Sequence, residues 1–420
     1  MTHYEEIDMF NDMSLIEDPY PYYEHLRAQG PAVYLPQHNV VAVTGYREGL
    51  PLFSNPEIFS AANAVTGPFP PLPFTPEGDD ITEQLAAHRE ELSHSGLIMT
   101  EDPPQHAKTK SLLMGMITPI RLKENETFMW ELADQLIDEF IERGSFEAIM
   151  DYGQPYATLV IADLLGVPEE DHKNFRMLRS NLPGQVGGEK EAVRDPLEQI
   201  GLQFYGYIEE RRQNPRDDVL GKMAQVKYRD GTTPSVIDVV KTATFMFGAG
   251  QHTTVLLLAS ALRILGEDPE LQAQLRADRS LIPKFIEEVL RLQSPVKGDY
   301  RLVTKTTKIG DLEVKAGTTV MLLLAAMNRD PAVFEDPHSI RLDRTNAGEQ
   351  VAFGRGVHAC AGSPLARGEA KVSLERLFDR LADIRINEAA HGPAGQRRFE
   401  YEPTYTLRGL KELHLDFTRA

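Results

Sequence analysis

The chain has 420 residues, and its 44 Lys and Arg against 63 Asp and Glu give a formal net charge of −19. The 41% share of apolar residues and the 25% share of charged residues are those of an ordinary globular protein, which excludes wholesale disorder, collagen and coiled coil. Nucleic acids and anionic lipids attract basic surfaces, so we expect this acidic chain to bind neither nucleic acid nor a membrane.

The first residues of the chain carry neither the basic patch nor the apolar run of a signal peptide. Cys360 is the single cysteine, so the chain forms no internal disulfide and no zinc site built from several thiolates. Both features favour a reducing compartment. We therefore expect a cytoplasmic protein.

Periodicity predicts a mostly helical chain with a few strands and no internal repeat. Runs rich in Val, Leu and Thr predict strands over residues 39–44, 301–307 and 318–324. Apolar residues at helical spacing predict helices over residues 123–143, 283–292 and 366–381. The fold class is therefore mainly α with small β-sheets (α+β). No low-complexity linker divides the chain, so we expect one domain over residues 1–420.

Two segments are predicted to be loops. Residues 67–76 are rich in proline, which lacks an N–H and fixes φ, and residues 181–188 hold one proline and three glycines. Each is either a surface connector or a wall of a pocket, since long loops on rigid scaffolds often line sites. Composition leaves both interpretations open.

Residues 242–262 contain no Asp, Glu, Lys or Arg, which makes the segment long and apolar enough to cross a membrane. Its middle, however, carries glycines and polar side chains, including Gly250, His252 and Thr253. Unsatisfied polar groups are costly at the centre of a bilayer. We interpret the segment as the buried central helix of a soluble protein.

The stretch around Cys360 reads Phe-Gly-Arg-Gly-Val-His-Ala-Cys-Ala-Gly over residues 353–362 and leads into a predicted helix. Glycines let the main chain approach a large ligand closely. A thiol just before a helix start receives backbone N–H groups and the positive end of the helix dipole, which predicts a lowered pKa. A thiolate here is either a nucleophile or the axial ligand of a metal, whereas a lone cysteine is commonly an inert apolar residue.

This stretch resembles, at every fixed position, the haem-binding signature of the cytochrome P450 family, Phe-Gly-x-Gly-x-His-x-Cys-x-Gly. The resemblance implies the P450 fold, with haem b (iron protoporphyrin IX) between the long central helix and the cysteine loop. It implies that Cys360 is the proximal iron ligand, with Phe353 packed near the sulfur and Gly362 in the haem-binding loop. His358 would bind a haem propionate.

Two further segments resemble parts of the same family. Glu288 and Arg291 resemble its structural Glu-x-x-Arg pair, with Arg344 as the candidate third member. Residues 102–110 resemble Asp-Pro-Pro-x-His-x-x-x-Arg. The resemblance implies propionate contacts from the basic side chains His106, Lys110 and Arg301. Lys110 supplies the charge of the usual arginine but lacks its planar fork.

Residues 249–254, Ala-Gly-Gln-His-Thr-Thr, resemble the oxygen-binding segment of the family's central helix. This implies catalytic roles for Ala249, Gly250, His252 and Thr253, with glycine letting the haem and dioxygen lie against the backbone. His252 stands where the family usually has an acid. An unperturbed histidine, with a pKa of about 6.5, carries protons near neutral pH. The alternative, which we favour, is a ring turned away and bonded to a neighbouring helix.

The resemblance implies a monooxygenase that inserts one oxygen atom from O₂ into a small apolar molecule of terpenoid or aromatic size. Its electrons would come from NAD(P)H through a reductase and a ferredoxin. The implied pocket residues are Phe245, Gly248, Ala249, Val296, Lys297, Tyr405 and Thr406. We expect the Lys297 ammonium to face solvent. The alternatives are a peroxide-driven or non-oxygenating haem-thiolate enzyme and a non-catalytic haem-binding protein.

Residues 103–123 and 351–367 contain no acid. They carry the basic residues His106, Lys108, Lys110, Arg121, Lys123, Arg355, His358 and Arg367. By the family's fold they would form a basic proximal face on which an acidic ferredoxin docks. Propionate contacts and ordinary core sequence are the alternative explanation for these charges. We expect a monomer.

Overall fold

The computed structural model describes residues 4–176 and 196–420. The protein is mostly helical with small β-sheets, as the sequence predicts. The helices are α1 (Ser14–Glu17), α2 (Tyr20–Gln29), α3 (Tyr46–Gly49), α4 (Thr82–Ala87), α5 (Gln105–Met116), α6 (Pro119–Phe140), α7 (Gln154–Leu164), α8 (His172–Arg176), α9 (Pro196–Gln213), α10 (Val219–Ala224), α11 (Val236–Glu267), α12 (Pro269–Ala277), α13 (Ile282–Gln293), α14 (Leu324–Met327), α15 (Ser363–Arg380) and α16 (Glu388–His391). The predicted loop at residues 181–188 lies outside the described residues.

The strands form small sheets. They are β1 (Ala32–Leu35), β2 (Val40–Val43), β3 (Phe59–Ser60), β4 (Ser145–Glu147), β5 (Asp299–Val303), β6 (Thr307–Ile309), β7 (Leu312–Val314), β8 (Thr319–Leu322), β9 (Leu381–Ile386) and β10 (His414–Arg419). A five-stranded sheet has the order β1-β2-β8-β5-β3, a three-stranded sheet has the order β4-β10-β9, and β6 and β7 form a hairpin. Within the five-stranded sheet β2 and β8 are parallel, with Val40 opposite Thr319.

Several predicted bounds shift by a few residues. The predicted helix at 123–143 is α6 followed by a 3₁₀ turn at Ile141–Arg143. The predicted helix at 366–381 is α15, which begins earlier because a proline is favourable in the first turn. The predicted strand at 301–307 divides between β5 and β6, and the one at 318–324 ends where α14 begins.

Helix α11 begins at a capping box, in which Ser235 and Asp238 each accept a backbone N–H from the other. It is the one helix in the described part of the chain that is long and apolar enough to cross a membrane, and 67% of its most apolar window is buried inside the protein. The helix packs against α7, α9, α13 and α15. This burial agrees with the predicted central core helix.

The largest apolar core lies among these helices and takes members from Ile98 to Phe417. The proline-rich residues 67–76 form no helix or strand, as predicted. Phe69 of this loop packs against Phe10 and Tyr405, with ring centroids 5.6 Å and 6.3 Å away. The loop is therefore held between the N-terminal segment, which carries Phe10, and residues 404–409, here called the C-terminal turn.

Glu288 and Arg291 of α13 form a fully buried ion pair, with 2.7 Å between Arg291 Nε and Glu288 Oε1. Arg344 joins them, because its Nε lies 3.0 Å from the same carboxylate oxygen. Burial raises the pKa of Glu288, but hydrogen bonds from Arg291 and the backbone N–H of Arg341, together with the two guanidinium charges, bring it below its usual value. The trio fixes α13 to the segment that leads into the cysteine loop.

Lys297 does not face solvent, so that expectation is wrong. The residue is 3% exposed, and its Nζ donates to the Thr404 carbonyl at 2.7 Å. Its backbone N–H donates to the Thr406 carbonyl at 2.8 Å, so the segment after α13 is tied to the C-terminal turn. Burial, with a smaller effect of the Arg408 charge, lowers the pKa of Lys297 to about 7.

Glu288→Gln should lower the free energy of unfolding by about 3–5 kcal/mol, because it leaves two buried guanidinium groups without a carboxylate. Arg341→Gln is the matched control. Arg341 pairs with exposed acids, so its loss should lower the free energy of unfolding far less than the loss of Glu288 does. Urea unfolding followed by circular dichroism measures both. Equal losses in the two variants would contradict a buried network.

Lys297→Met should stabilise the protein at pH 6 and lose this advantage as the pH rises. The unfolded lysine keeps its proton up to its usual pKa of 10.5, whereas the folded one releases it near 7. The unfolded state therefore binds more protons above pH 7, and wild-type stability rises relative to the variant by about 1.4 kcal/mol per pH unit.

Urea unfolding at pH 6, 7.5 and 9 measures this difference. Lys305→Met is the control, because Lys305 is half exposed and lies 3.5 Å from Asp80, so its variant should give a flat difference. A pH-independent difference for Lys297→Met would show that the lysine stays charged in the fold.

Candidate active site

The cysteine loop has a shape that only glycine permits at two positions. Gly354 and Gly356 have φ of +61° and +68°, and a Cβ at Gly356 would overlap the Phe53 carbonyl. The loop then turns so that the Cys360 N–H donates to the Phe353 carbonyl at 2.9 Å. This places Cys360 just before the first turn of α15, as predicted.

Cys360 is exposed by its surface area, yet enough protein atoms surround its sulfur to disfavour a thiolate. Burial raises the pKa of this thiol, and the backbone N–H groups of Gly362 and Ser363 oppose the rise without reversing it. The predicted lowering is therefore wrong in direction, because desolvation outweighs the helix start. Coordination to a metal ion would remove the proton outright.

Basic side chains from three segments meet beside this loop. The rings of His106 in α5 and His358 in the cysteine loop lie 4.1 Å apart. Lys110 Nζ donates to the Val357 carbonyl at 2.6 Å. Arg301 in β5 is 2% exposed and pairs with Asp299 at 2.6 Å. The structure thus brings together the four residues that the sequence assigns to the propionates.

The electrostatics of this cluster favour an anionic ligand. Burial, then the charges of Arg301, His106, Lys110 and Arg89, lower the pKa of His358 to about 3. Burial, then Lys110, lowers the pKa of His106 to about 4. The buried Nε2 of His358 has no hydrogen-bond partner among residues 4–176 and 196–420.

Arg89 is a member of this cluster that sequence reasoning missed. It pairs with Asp102 at 3.0 Å, and its charge acts on His358. Asp102 in turn accepts the Ala61 N–H at 2.8 Å, which fixes the start of the His106 segment. No sequence motif marks Arg89, because only the packing of the chain brings it to the site.

One face of α11 stays accessible although most of the helix is buried. The accessible residues recur at helical spacing and include Phe245, Gly248, Ala249 and Thr253. Thr253 Oγ1 donates to the Ala249 carbonyl at 2.8 Å. The resemblance assigns these residues to oxygen chemistry and substrate contact, and together they form the accessible wall of α11.

Gly250 does not belong to that wall. A Cβ there would lie 3.1 Å from Ile161 Cδ1, so the glycine makes room for α7 rather than for a ligand. The predicted open face at Gly250 is therefore wrong, since the position points into a helix contact.

His252 is poorly suited to either of its predicted roles. Burial lowers its pKa to about 4, so the ring is neutral near pH 7 and does not carry protons as an unperturbed histidine would. Its buried Nε2 has no hydrogen-bond partner in the described part of the chain, which contradicts a bond from that atom to a neighbouring helix.

The remaining predicted pocket residues divide into two groups. Val296 forms a β-bridge with Leu407, and Thr406 is half-buried beside it. Gly409 of the same turn lies against Leu256 of α11, which brings the turn to the central helix. The other two residues are held by contacts away from α11. Tyr405 packs against Phe10, with ring centroids 5.1 Å apart, and Lys297 is buried.

The two acid-free segments, residues 103–123 and 351–367, carry fewer unpaired basic side chains than their sequences indicate. Arg121 pairs with Asp163 at 2.9 Å, and Arg367 pairs with Glu287 at 2.5 Å. Lys108 lies over the Tyr228 ring, 4.4 Å from its centroid. Arg355 donates to the Glu349 carbonyl at 2.6 Å and stays half-buried. A basic face at the cysteine loop therefore rests mainly on Arg355 and on the partly neutralised Arg367.

Comparison with known proteins agrees with this geometry. The family model described as "Cytochrome P450" matches residues 161–382. Cytochrome P450 144 of Mycobacterium tuberculosis is 31% identical over 91% of this chain and 87% of the relative.

Solved structures show the same fold. The substrate-free cytochrome P450 CYP150A6 of Mycobacterium marinum has a TM-score of 0.94 and 54% identity, covering 99% of this chain and 100% of its own. CYP109E1 of Bacillus megaterium, in complex with corticosterone, has a TM-score of 0.79 and 27% identity. The match covers 95% of this chain and 98% of the other.

These likenesses extend over almost the whole chain and include the helices and loops that form the site described above. The predicted fold class is confirmed. The chain belongs to the cytochrome P450 family of monooxygenases, whose members bind haem b through a cysteine thiolate.

Proposed function

We propose that this protein inserts one oxygen atom from O₂ into a small apolar substrate of terpenoid or aromatic size. The observation that carries the proposal is the placement of Cys360 beside a cluster of basic side chains, in a chain whose central helix α11 keeps one accessible face. The cluster suits a large anionic cofactor, and the face carries the threonine that the sequence assigns to oxygen chemistry.

The residues of the site fit haem b. Lys110 and Arg301 place positive charge beside the neutral rings of His106 and His358, and an unpaired buried charge or polar atom is costly. Two propionates would satisfy these groups, including the partnerless His358 Nε2. Haem bound by a cysteine thiolate supplies dioxygen binding and favours O–O cleavage.

The chain's own groups would then act as follows. Cys360 is the iron ligand, held in place by its N–H bond to the Phe353 carbonyl. Thr253 holds a hydroxyl proton on the accessible face of α11, with the Ala249 carbonyl as its acceptor. Phe245 and Val296 exclude water and position the substrate. Gly250 and His252 support the helix rather than the chemistry.

The substrate class rests on the apolar character of the wall. Phe245, Gly248 and Ala249 offer no charge, and the ammonium of Lys297 is turned to the Thr404 carbonyl. The related CYP109E1 structure contains corticosterone, an apolar molecule of polycyclic terpenoid origin. Both observations support an apolar ligand of that size.

We propose further that NAD(P)H supplies electrons through a reductase and a ferredoxin that docks beside Arg355 and Arg367. We also propose a cytoplasmic monomer in which residues 1–420 form one domain. The single cysteine supports the reducing compartment, and the largest core, with members from Ile98 to Phe417, supports the single domain.

Cys360→Ser should abolish the red-shifted Soret band of the reduced carbonyl complex, because the band depends on thiolate ligation. Ser363→Ala is the control, since it changes the first residue of α15, next to the cysteine loop, but keeps the sulfur. Visible spectra of both purified holoproteins under carbon monoxide measure the effect. Persistence of the band in Cys360→Ser would overturn the assignment of the ligand.

Oxygenated product that requires NAD(P)H, reductase and ferredoxin together would support the proposed electron route. Product formed with peroxide alone would favour the peroxide-driven alternative.

Reduction by ferredoxin should slow steeply with added salt, because exposed charge pairs are screened within about 10 Å at 0.1 M salt. Arg355→Gln and Arg367→Gln should each slow reduction several-fold at low salt and flatten the salt dependence. Lys315→Gln, on the β6–β7 hairpin and paired with Glu313 at 2.7 Å, is the control. Stopped-flow reduction rates that are equal in all variants would place the docking surface elsewhere.

A further inference from the structure

Arg367 carries a guanidinium group that several contacts hold beside the cysteine loop. Its Nε and Nη2 donate to the two carboxylate oxygens of Glu287 at 2.5 Å and 3.1 Å, which makes a bidentate ion pair. Its Nη1 donates to the Ser363 carbonyl at 3.4 Å. The guanidinium carbon lies over the Phe353 ring, 4.6 Å from the ring centroid, in a cation–π contact. The charge therefore has a fixed position, although 38% of the side chain is exposed.

Gln350 holds the other half of this ion pair. Its side chain is buried, and its Nε2 donates to Glu287 Oε2 at 3.2 Å. Its Oε1 accepts the Ala352 N–H at 2.6 Å, one residue before Phe353. The amide thus links the carboxylate of α13 to the backbone that leads into the cysteine loop. The ion pair is therefore joined to the loop both through the Phe353 ring and through the backbone before it.

The Arg367 charge acts on the sulfur of Cys360. The Cys360 N–H donates at 2.9 Å to the carbonyl of Phe353, whose ring lies beneath the guanidinium group. Burial raises the pKa of Cys360, and backbone N–H groups and then the charges of Arg367 and Lys110 oppose this rise. Lys110 also acts on the His358 ring, in the cluster assigned to the propionates, whereas Arg367 is held on the side of α13.

A charge at this position changes the free energy of reduction. Reduction of a bound iron cofactor adds one electron, and therefore one negative charge, to the site. A nearby cation favours the reduced state by Coulomb attraction, whereas a nearby anion opposes it. Arg367 should therefore raise the reduction potential, and Glu287 should lower it. Solvent weakens both contributions, because both side chains are partly exposed.

We propose that the charge of Arg367 tunes the reduction potential of haem bound at Cys360. Glu287 and Gln350 hold that charge in place, so all three are positioning residues that do not touch the reacting atoms. One electron passes from the ferredoxin to the ferric iron, which becomes ferrous while the ferredoxin is oxidised, and no covalent bond of the protein changes. The inference rests on the proposed function, because it requires Cys360 to be the iron ligand.

The potential is measured on purified holoproteins by dithionite titration with mediator dyes, followed at the Soret band, without ferredoxin or substrate. Arg367→Gln should lower the equilibrium constant for one-electron reduction on the order of tenfold, which is about 59 mV. Glu287→Gln should shift the potential in the opposite direction, because it leaves the Arg367 charge without its anion. Arg367→Lys keeps the charge but not the planar fork, so its potential should lie between those of the wild type and Arg367→Gln.

The opposite signs separate tuning by charge from a role in holding the fold. A fold-holding pair predicts that Arg367→Gln and Glu287→Gln shift the potential in the same direction, since each breaks the same contact. Tuning by charge predicts that the double variant returns towards the wild-type potential, since both charges are then absent. Shifts of the same sign, or equal potentials in the wild type and both single variants, would overturn the proposal.

Arg376→Gln is the matched control. Arg376 lies on the same helix, pairs with Asp134 at 3.3 Å and stacks on Trp130 with 4.8 Å to the ring centroid. It stands nine residues after Arg367, which is about 14 Å along the helix axis. Its loss removes the same kind of contact far from Cys360 and should leave the potential unchanged. A shift as large as that of Arg367→Gln would show that disturbance of α15, rather than local charge, sets the potential.

Failure of the proposed function gives a different result. The red-shifted Soret band of the reduced carbonyl complex would then persist in Cys360→Ser. Loss of that band in Cys360→Ser, together with unchanged potentials in the Arg367 and Glu287 variants, would keep the ligand assignment and overturn only the tuning. If Arg367→Gln does not retain haem, Glu287→Gln tests the same charge alone, and a potential that does not rise in that variant would contradict the proposal.

Discussion

Basic side chains held away from water without enough partners are the constraint on which the site depends. His106, Lys110, Arg301 and His358 come from three separate segments, and burial lowers the pKa of both histidines. Bringing these groups together is unfavourable without an anion between them. A dianionic cofactor would give these groups a partner, so cofactor binding and the folding of the surrounding segments would stabilise each other.

Helix α11 contributes both to this polar site and to the apolar core. Its accessible face carries Thr253, while polar side chains on the other faces bond to neighbouring helices. Gln251 donates to Thr158 at 2.6 Å, and Thr254 donates to Glu369 at 3.0 Å. The same helix therefore meets the length and hydropathy of a membrane span, while its few polar side chains bond to specific neighbours.

Local motifs made much of the site predictable from sequence. The cysteine loop and the Glu288 pair each lie within a few residues, so their spacing alone predicts their contacts. Arg89 was missed because its position depends on packing between distant segments. Gly250 and Lys297 were misjudged for the same reason, since Ile161 and the Thr404 carbonyl decide where they point.

The contacts of the cysteine loop also bear on how the protein is made. Gly356 lies against Phe53, and the Tyr46 hydroxyl donates to the Glu349 carbonyl, a residue 303 positions later in the chain. Strand β2 likewise pairs in parallel with β8, which lies far later in the chain. Contacts of such long range form slowly. During synthesis, these long-range contacts therefore cannot form until the ribosome has produced most of the chain, whereas β1 and β2 can pair early.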